Sequence, residues 1–484
     1  MLAIDKDNGA FLYRQVIGRI NDPIDGGTLR PGDRLPSLRR MSEQIGVSVP
    51  TVRQAYVELE RQRRVESRPQ SGFYVRGLPS NPIVRPGAAF RAEARPGPVA
   101  CRSLIDRVFD GLFSAELVPL GIANPTMAKP AAKSLNRTMK RVMARAEGRL
   151  LTYAPTLGDA GLRRQIAYRY LDTVGSKVDV DGICITNGGQ EALLLALQAV
   201  AGPGDVIAVE SPGYHGVLEL IDSLGMLAIE IETCPEEGVQ LEPLTKTLDA
   251  HDVRACVFST TLSNPLGVTM PDAARQALVE LLENRGIALI EDDVYGDLRF
   301  DGVRPKPAEF HSRHGRVLTC GSFSKTAAPG YRIGWLLTGR YSAEIERLKR
   351  SYSCSSGLLQ QLTLAEFIAS GDYDRYLKAL RPVLKCNAER MACLVARHFP
   401  AETRISRPAG GSVLWLELPR NVDSGQLFDR AIEHGISIAP GLIFSPRRRY
   451  RNFVRLSYGH PWSERIEDAV RWLGREAALP GLDS

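Results

Sequence analysis

Apolar residues recur at helical spacing near the start of the chain. Phe11, Leu12, Val16, Ile17 and Ile20 fall on one face and predict an amphipathic first helix. The stretch from Gly26 to Asp33 is rich in Gly and Pro turn signals and runs into Ser37, a good N-cap. A short helix is expected from Leu38 to Ile45, with Met41 and Ile45 facing inward. Gly46 ends it, and Ser48 caps a further helix to about Arg61 that carries Val52, Tyr56 and Leu59. Two short helices joined by a tight turn make a helix-turn-helix. Arg63 to Ser67 and Gly72 to Arg76 then read as two strands around the turn Arg68-Pro69-Gln70-Ser71. Helix, helix-turn-helix and hairpin together predict a winged helix over residues 8–77.

Periodicity stops over residues 78–100, where prolines punctuate a polar stretch that predicts an extended linker reaching roughly 70 Å. It resumes with Leu104, Ile105, Val108, Phe109 and Leu112 on one helical face, which opens a large domain over 101–484. Here helices alternate with short β-branched or apolar runs: Ile183 to Thr186, Val206 to Val209, Ala255 to Phe258, Ala288 to Glu291 and Val317 to Cys320. Such runs are strands buried on both faces, so an α/β domain with a mostly parallel sheet is expected. Ligands of such sheets gather at the carboxyl ends of the strands.

Composition changes this picture little. At 484 residues the chain exceeds one ordinary domain, and 44% hydrophobic with 24% charged residues excludes a disordered polypeptide. The longest apolar run, Ala192 to Val200, is too short for a membrane span. Asp5 and Asp7 and the lack of a long apolar stretch near Met1 argue against a signal peptide, so a cytoplasmic protein is expected. Eight cysteines without a CxxC pair read as buried thiols, with no disulfide framework or metal site. The net charge of +7 is modest. Residues 1–77 hold 13 Lys and Arg against 9 Asp and Glu, so any affinity for nucleic acid rests on local placement.

Candidate chemistry collects at the strand ends. Gly321-Ser322-Phe323-Ser324-Lys325 and Arg332-Ile333-Gly334-Trp335 supply a lysine flanked by two hydroxyls and an arginine. An amine of lowered pKa forms a Schiff base with an aldehyde, and the hydroxyls and guanidinium suit a phosphate. Taken alone, the run is equally a Ser/Lys-rich surface loop. Thr186-Asn187-Gly188-Gly189-Gln190 passes from a strand into a helix, the setting of an N-terminal phosphate site. Tyr214 stacks on a flat ring or fills a core. Asn264, in Ser263-Asn264-Pro265-Leu266-Gly267, presents an amide. Asp292, in Glu291-Asp292-Asp293-Val294-Tyr295, requires a cation if buried, either a protonated ring nitrogen or a Lys or Arg.

Two resemblances organise these observations. Pro-Gly-Asp-Arg-Leu-Pro-Ser (31–37), Gly-Val-Ser-x-x-Thr-Val-Arg-x-Ala-Tyr (46–56) and Glu-Ser-Arg-Pro-x-Ser-Gly (66–72) resemble the GntR-type winged helices. The resemblance implies that Arg39, Ser48, Thr51, Arg53 and Gly72 meet double-stranded operator DNA. Val49-Pro50 departs from the family pattern, which often has a polar residue there. The ordered series Asn-Pro-x-Gly, Asp-x-x-Tyr, Ser-x-Ser-Lys and Arg-x-Gly-Trp resembles the fold type I aminotransferases, which use pyridoxal 5'-phosphate (PLP). This implies Lys325 for the internal aldimine, Asp292 for the pyridine nitrogen, Asn264 and Tyr295 for the ring oxygen, and Tyr214 for stacking. Phosphate falls to Ser322, Ser324, Arg332 and the backbone of Gly189 and Gln190. Tyr153 matches a tyrosine that reaches the phosphate of a neighbouring subunit, and Arg455 one that clamps a substrate carboxylate.

The whole chain resembles the MocR regulators, in which a GntR-type winged helix precedes a PLP domain. The implied function is a homodimeric, DNA-binding transcription regulator that senses a small amino compound, or PLP itself, through aldimine chemistry. An active aminotransferase with an accessory DNA-binding module is the alternative, since no catalytic residue is missing.

Overall fold

The computed structural model describes residues 12–25, 29, 33–61, 64–68, 72–75, 85–86, 95–100, 104–108, 116–126 and 129–479. The chain divides into two compact units, Met1–Pro82 and Ile83–Ser484.

In the first unit, α1 (Leu12–Asp25), α2 (Leu38–Ile45) and α3 (Val49–Arg61) precede a hairpin of β1 (Val65–Arg68) and β2 (Gly72–Val75). Phe11 lies outside the described residues, but Val16 and Ile20 join Ile45, Val52, Tyr56 and Leu59 in one core. Ser37 caps α2 by accepting the Arg40 N–H at 3.3 Å. The Tyr56 hydroxyl donates to the Pro36 carbonyl at 2.8 Å, and its ring meets Phe73 edge-on at 5.0 Å. One tyrosine thus fixes α3 against both the preceding turn and the hairpin. The hairpin differs slightly from expectation, because Arg68 pairs with Gly72 and belongs to the strand, not the turn. Arg34 adds a bridge to Tyr74, so the chain before α2 forms a third edge.

The second unit is built on an eight-stranded sheet. After β3 (Val118–Pro119), which pairs elsewhere, come β4 (Ile183–Thr186), β5 (Val206–Ser211), β6 (Leu227–Cys234), β7 (Gly238–Val239), β8 (Val253–Phe258), β9 (Ala288–Asp292), β10 (Val317–Ser322) and β11 (Gly334–Leu337). Their order is β4-β11-β10-β9-β8-β5-β6-β7. β6, β5, β8, β9 and β10 run parallel, whereas β11 and β7 are antiparallel. Side chains alternate between two cores: Ala255 and Val257 enter one, Cys256 and Phe258 the other. That alternation is why these strands are mainly apolar on both faces. Among the cysteines, Cys184, Cys256 and Cys320 are buried thiols.

The stretch read as a linker is fastened at its C-terminal end. Gly97 bridges Ala228 beside β6, and the Ala100 N–H donates to the Pro446 carbonyl at 2.8 Å. Its backbone groups find partners on a sheet edge, which proline spacing alone does not reveal. A smaller antiparallel sheet follows, containing Val413–Glu417 and Phe453–Ser457. Among the described residues no helix is long and apolar enough to cross a membrane.

Candidate functional site

The parallel strands β5, β8, β9 and β10 end on the same side, and their exits deliver Tyr214, Asn264, Asp292 with Tyr295, and Ser322 to Lys325. A cavity of about 100 Å³ lies there, lined by ten of the residues singled out above: Gly189, Gln190, Tyr214, Asn264, Asp292, Tyr295, Ser322, Ser324, Lys325 and Arg332. Leu193, Ser259 and Val294 complete its wall.

One end is a cup of donors. The helix Gly189–Val200 begins at Gly189, three residues earlier than its apolar run suggests, so its first N–H groups face the cavity. Ser322 donates to Ser324 at 3.0 Å. Arg332 reaches Ser324 Oγ at 3.4 Å and the Asn187 carbonyl at 3.2 Å. Gly188, at φ +83°, makes room for that arginine: a Cβ there would stand 2.4 Å from its Nη2. Hydroxyls, helix N–H groups and a guanidinium converging on one spot suit a phosphate ester.

The other end suits a cationic heteroaromatic ring. Asp292 is buried, and burial pushes its carboxyl up to about 6 despite the Val294 N–H and the Lys325 ammonium. Among the described residues no Arg or Lys forms an ion pair with it, and it lines the cavity. Glu210, also buried, is pushed up to about 8 by desolvation and is therefore neutral beside Asp292 at neutral pH. Asn264 accepts from Arg455 Nη1 at 3.0 Å through its oxygen, leaving the amide N–H groups to donate. Tyr295 donates to the Ala123 carbonyl at 3.2 Å.

Lys325 stands between the two ends, with Nζ 2.5 Å from Asn124 Oδ1. Desolvation, with Arg455 and Arg332 nearby, lowers its amine from 10.5 to about 8, against the pull of Asp292. At pH 7.5 roughly a quarter of the amine is then unprotonated, against roughly one part in a thousand for an ordinary lysine. The rate of PLP addition to cofactor-free protein should therefore rise with pH and level off just above pH 8. A rate still climbing steeply at pH 10 would contradict the lowered amine.

Arg455 is buried. Nη2 donates to the Gly121 carbonyl at 2.5 Å, and Nε has no hydrogen-bond partner among the described residues. Sequence reasoning missed Gly121, Ala123 and Asn124, which come from the loop after β3. The Gly-Ile-Ala-Asn-Pro turn there was the available signal. Tyr153 is not brought to the cavity within one chain; it is 86% exposed.

In the first unit Arg39, Ser48 and Arg53 are exposed and Thr51 is half-buried. The Ser48 and Thr51 hydroxyls bond each other at 2.8 Å, and Ser48 caps α3 through the Thr51 N–H. Val49 and Pro50 are exposed on the first turn. Gly72 has φ +107°, with the Arg34 guanidinium lying over it. Arg53→Ala should weaken operator binding. An equal loss on unrelated DNA with a salt slope lower by roughly one unit marks a phosphate contact, and a loss of about 1–3 kcal/mol confined to the operator marks a base contact. Unchanged binding to both would remove Arg53 from the DNA face.

Residues 115–473 match the family "Aminotransferase class I and II", and residues 12–75 match "Bacterial regulatory proteins, gntR family". The HTH-type transcriptional regulator YdcR of Escherichia coli is 37% identical over 96% of this chain and 98% of its own length. The chain belongs to the MocR-type regulators. A second E. coli member, YjiR, is 35% identical over 96% of this chain and 98% of its own. The HTH-type regulator TauR of Rhodobacter capsulatus is 27% identical over 94% of each. Among solved structures, the multiple substrate aminotransferase of Thermococcus profundus superposes with a TM-score of 0.70 at 25% identity, covering 78% of this chain and 95% of its own. The family uses PLP, and the donor cup, the buried acid and the lysine of this chain fit that cofactor.

Proposed function

We propose that the protein is a transcription regulator whose PLP domain senses a primary amine bearing a carboxylate, and whose winged helix, working as a homodimer, carries the response to operator DNA. The observation that carries this reading is the presence, in one chain, of exposed arginines on α2 (Arg39) and α3 (Arg53) and a cavity lined by Lys325 and Asp292, with Arg455 buried against its lining residue Asn264. The division of labour is a winged helix over 8–77, a connecting stretch over 78–100 and the cofactor domain over 101–484. Relatives that span nearly the whole chain and bear regulator names support it.

When bound, PLP supplies an aldehyde at which an incoming amine can replace Lys325. Ser322, Ser324, Arg332 and the N–H groups of Gly189 and Gln190 would hold its phosphate. Asp292 would keep the ring nitrogen protonated, Asn264 would donate to the ring oxygen, Tyr295 would do so by turning its hydroxyl from the Ala123 carbonyl, and Tyr214 would stack on the ring. Asn124 offers an acceptor to the released Lys325 ammonium. Arg455 takes the carboxylate of the incoming compound by exchanging the Gly121 and Asn264 oxygens for it. Tyr153, exposed in a single chain, serves the cavity of the partner subunit.

A ligand shifts a conformational equilibrium only by its differential affinity for the two states, and the coupling is reciprocal. Titrating an amino-acid panel with and without operator DNA should show one compound whose affinity changes by the same factor by which it changes DNA affinity. The intact set of reactive residues also favours a second reading, an active aminotransferase. Sustained turnover of an amino acid whose affinity is indifferent to DNA would establish that reading and overturn the first.

A further inference from the structure

Lys349 is a fully buried lysine that plays no part in the site described above. It lies on the helix Ser342–Tyr352, and its ammonium donates to Glu191 Oε2 at 2.7 Å and Ser356 Oγ at 3.0 Å. Replacing a buried ion pair by well-packed apolar residues is often neutral or stabilising, so stability alone does not explain this one. What sets this pair apart is what the carboxylate does next.

Glu191 sits in the first turn of the helix Gly189–Val200 and reaches back to the turn before it. Oε2 accepts the Asn187 backbone N–H at 2.5 Å, and Oε1 accepts the Asn187 side-chain amide at 3.2 Å. Asn187 in turn presents its carbonyl to Arg332 Nη2 at 3.2 Å. A continuous chain of bonds therefore runs from Lys349 through Glu191 and Asn187 to the guanidinium at the mouth of the cup. Its far end is fixed as well. The Ser356 carbonyl accepts from Gln361 Nε2 at 2.8 Å, and Gln361 Oε1 accepts the Asp159 N–H at 2.7 Å. Burial alone would raise the Glu191 carboxyl, but the Lys349 ammonium and the Asn187 N–H hold it below its ordinary value. Without the ammonium, a carboxylate this enclosed loses its counter-charge, and its grip on Asn187 weakens.

We propose that Lys349 is a positioning residue for the phosphate end of the site: acting through Glu191 and Asn187 it fixes where Arg332 stands, and so sets how strongly the site prefers a phosphorylated cofactor over the same ring without phosphate. The proposal rests on the reading of the cup as the seat of the PLP phosphate.

Cofactor-stripped full-length protein is titrated with PLP and, separately, with pyridoxal, following the absorbance of the lysine-bound aldehyde. Lys349→Met keeps an unbranched side chain only one atom shorter and removes its charge. Affinity for PLP should fall by about tenfold or more, while affinity for pyridoxal stays within about twofold, as when a partner that orients a ligand is lost. Glu191→Gln, which keeps the volume and weakens both bonds, should shift the same ratio and decides the matter if Lys349→Met does not fold. Equal losses for PLP and pyridoxal mean a merely structural lysine and overturn the proposal, as does an undiminished preference for PLP. A wild-type chain with no preference for PLP over pyridoxal overturns the cofactor reading itself, and the proposal falls with it.

Discussion

Lys325→Ala should abolish the trapping of cofactor by borohydride while leaving the protein folded. The amine lines the cavity beside Asp292, Tyr295 and the phosphate cup, and its lowered pKa makes it the reactive lysine at neutral pH. Lys349 is not a rival nucleophile, because its ammonium is enclosed and paired with Glu191. Removing the Lys325 amine takes a partly desolvated charge out of the protein, so no large loss of stability is expected. PLP should still enter by its phosphate but should wash out on dialysis, since the cup supplies only reversible bonds. Borohydride followed by mass spectrometry of the tryptic peptides reads the result directly. Label recovered on any peptide at wild-type level in the variant would show that another lysine carries the cofactor.

Arg455→Ala should separate sensing from both cofactor and DNA binding. The arginine is buried behind the cavity's lining residue Asn264, and its present acceptors are a backbone carbonyl and an amide oxygen. A carboxylate replacing those neutral acceptors makes charge-assisted bonds, each contributing about 1.5–3 kcal/mol, so effector affinity should drop roughly 10- to 150-fold or beyond. PLP retention and operator affinity without effector should match the wild type. Arg455→Lys keeps the charge but not the fork, and should recover only part of the loss. If the alanine variant responds to effector at wild-type concentrations, the carboxylate seat lies elsewhere.

Much of this was legible because local patterns encode it. Mainly apolar runs gave strands buried on both faces, and polar residues at their exits gave Asp292, Asn264 and Ser322. Helical spacing of Val16, Ile20, Val52 and Tyr56 gave the winged-helix core. The unread parts depend on contacts between distant residues. β7 and β3 are two residues long, too short for any alternation to register. Asn124 meets Lys325 from 201 positions away, and Glu191 meets Lys349 from 158. No periodicity links such partners; only the closing of the sheet brings them together. The anchoring of Gly97 at Ala228 belongs to the same class, since a stretch without apolar rhythm still pairs its backbone when an edge is offered.

Gly188 carries one more consequence. Its bare α-carbon is the seat of the Arg332 guanidinium, and any side chain there would stand where the arginine now does. The turn at φ +83° also resists other residues, so two separate pressures protect one position. Loss of the phosphate-binding function removes the first pressure but not the second. A genome survey of sequences with this domain order can therefore use the pair as a marker. Members that have replaced Arg332, whether or not they keep Gly188, are the ones to examine for sensing that no longer uses a phosphorylated cofactor, and members that keep the pair should retain it.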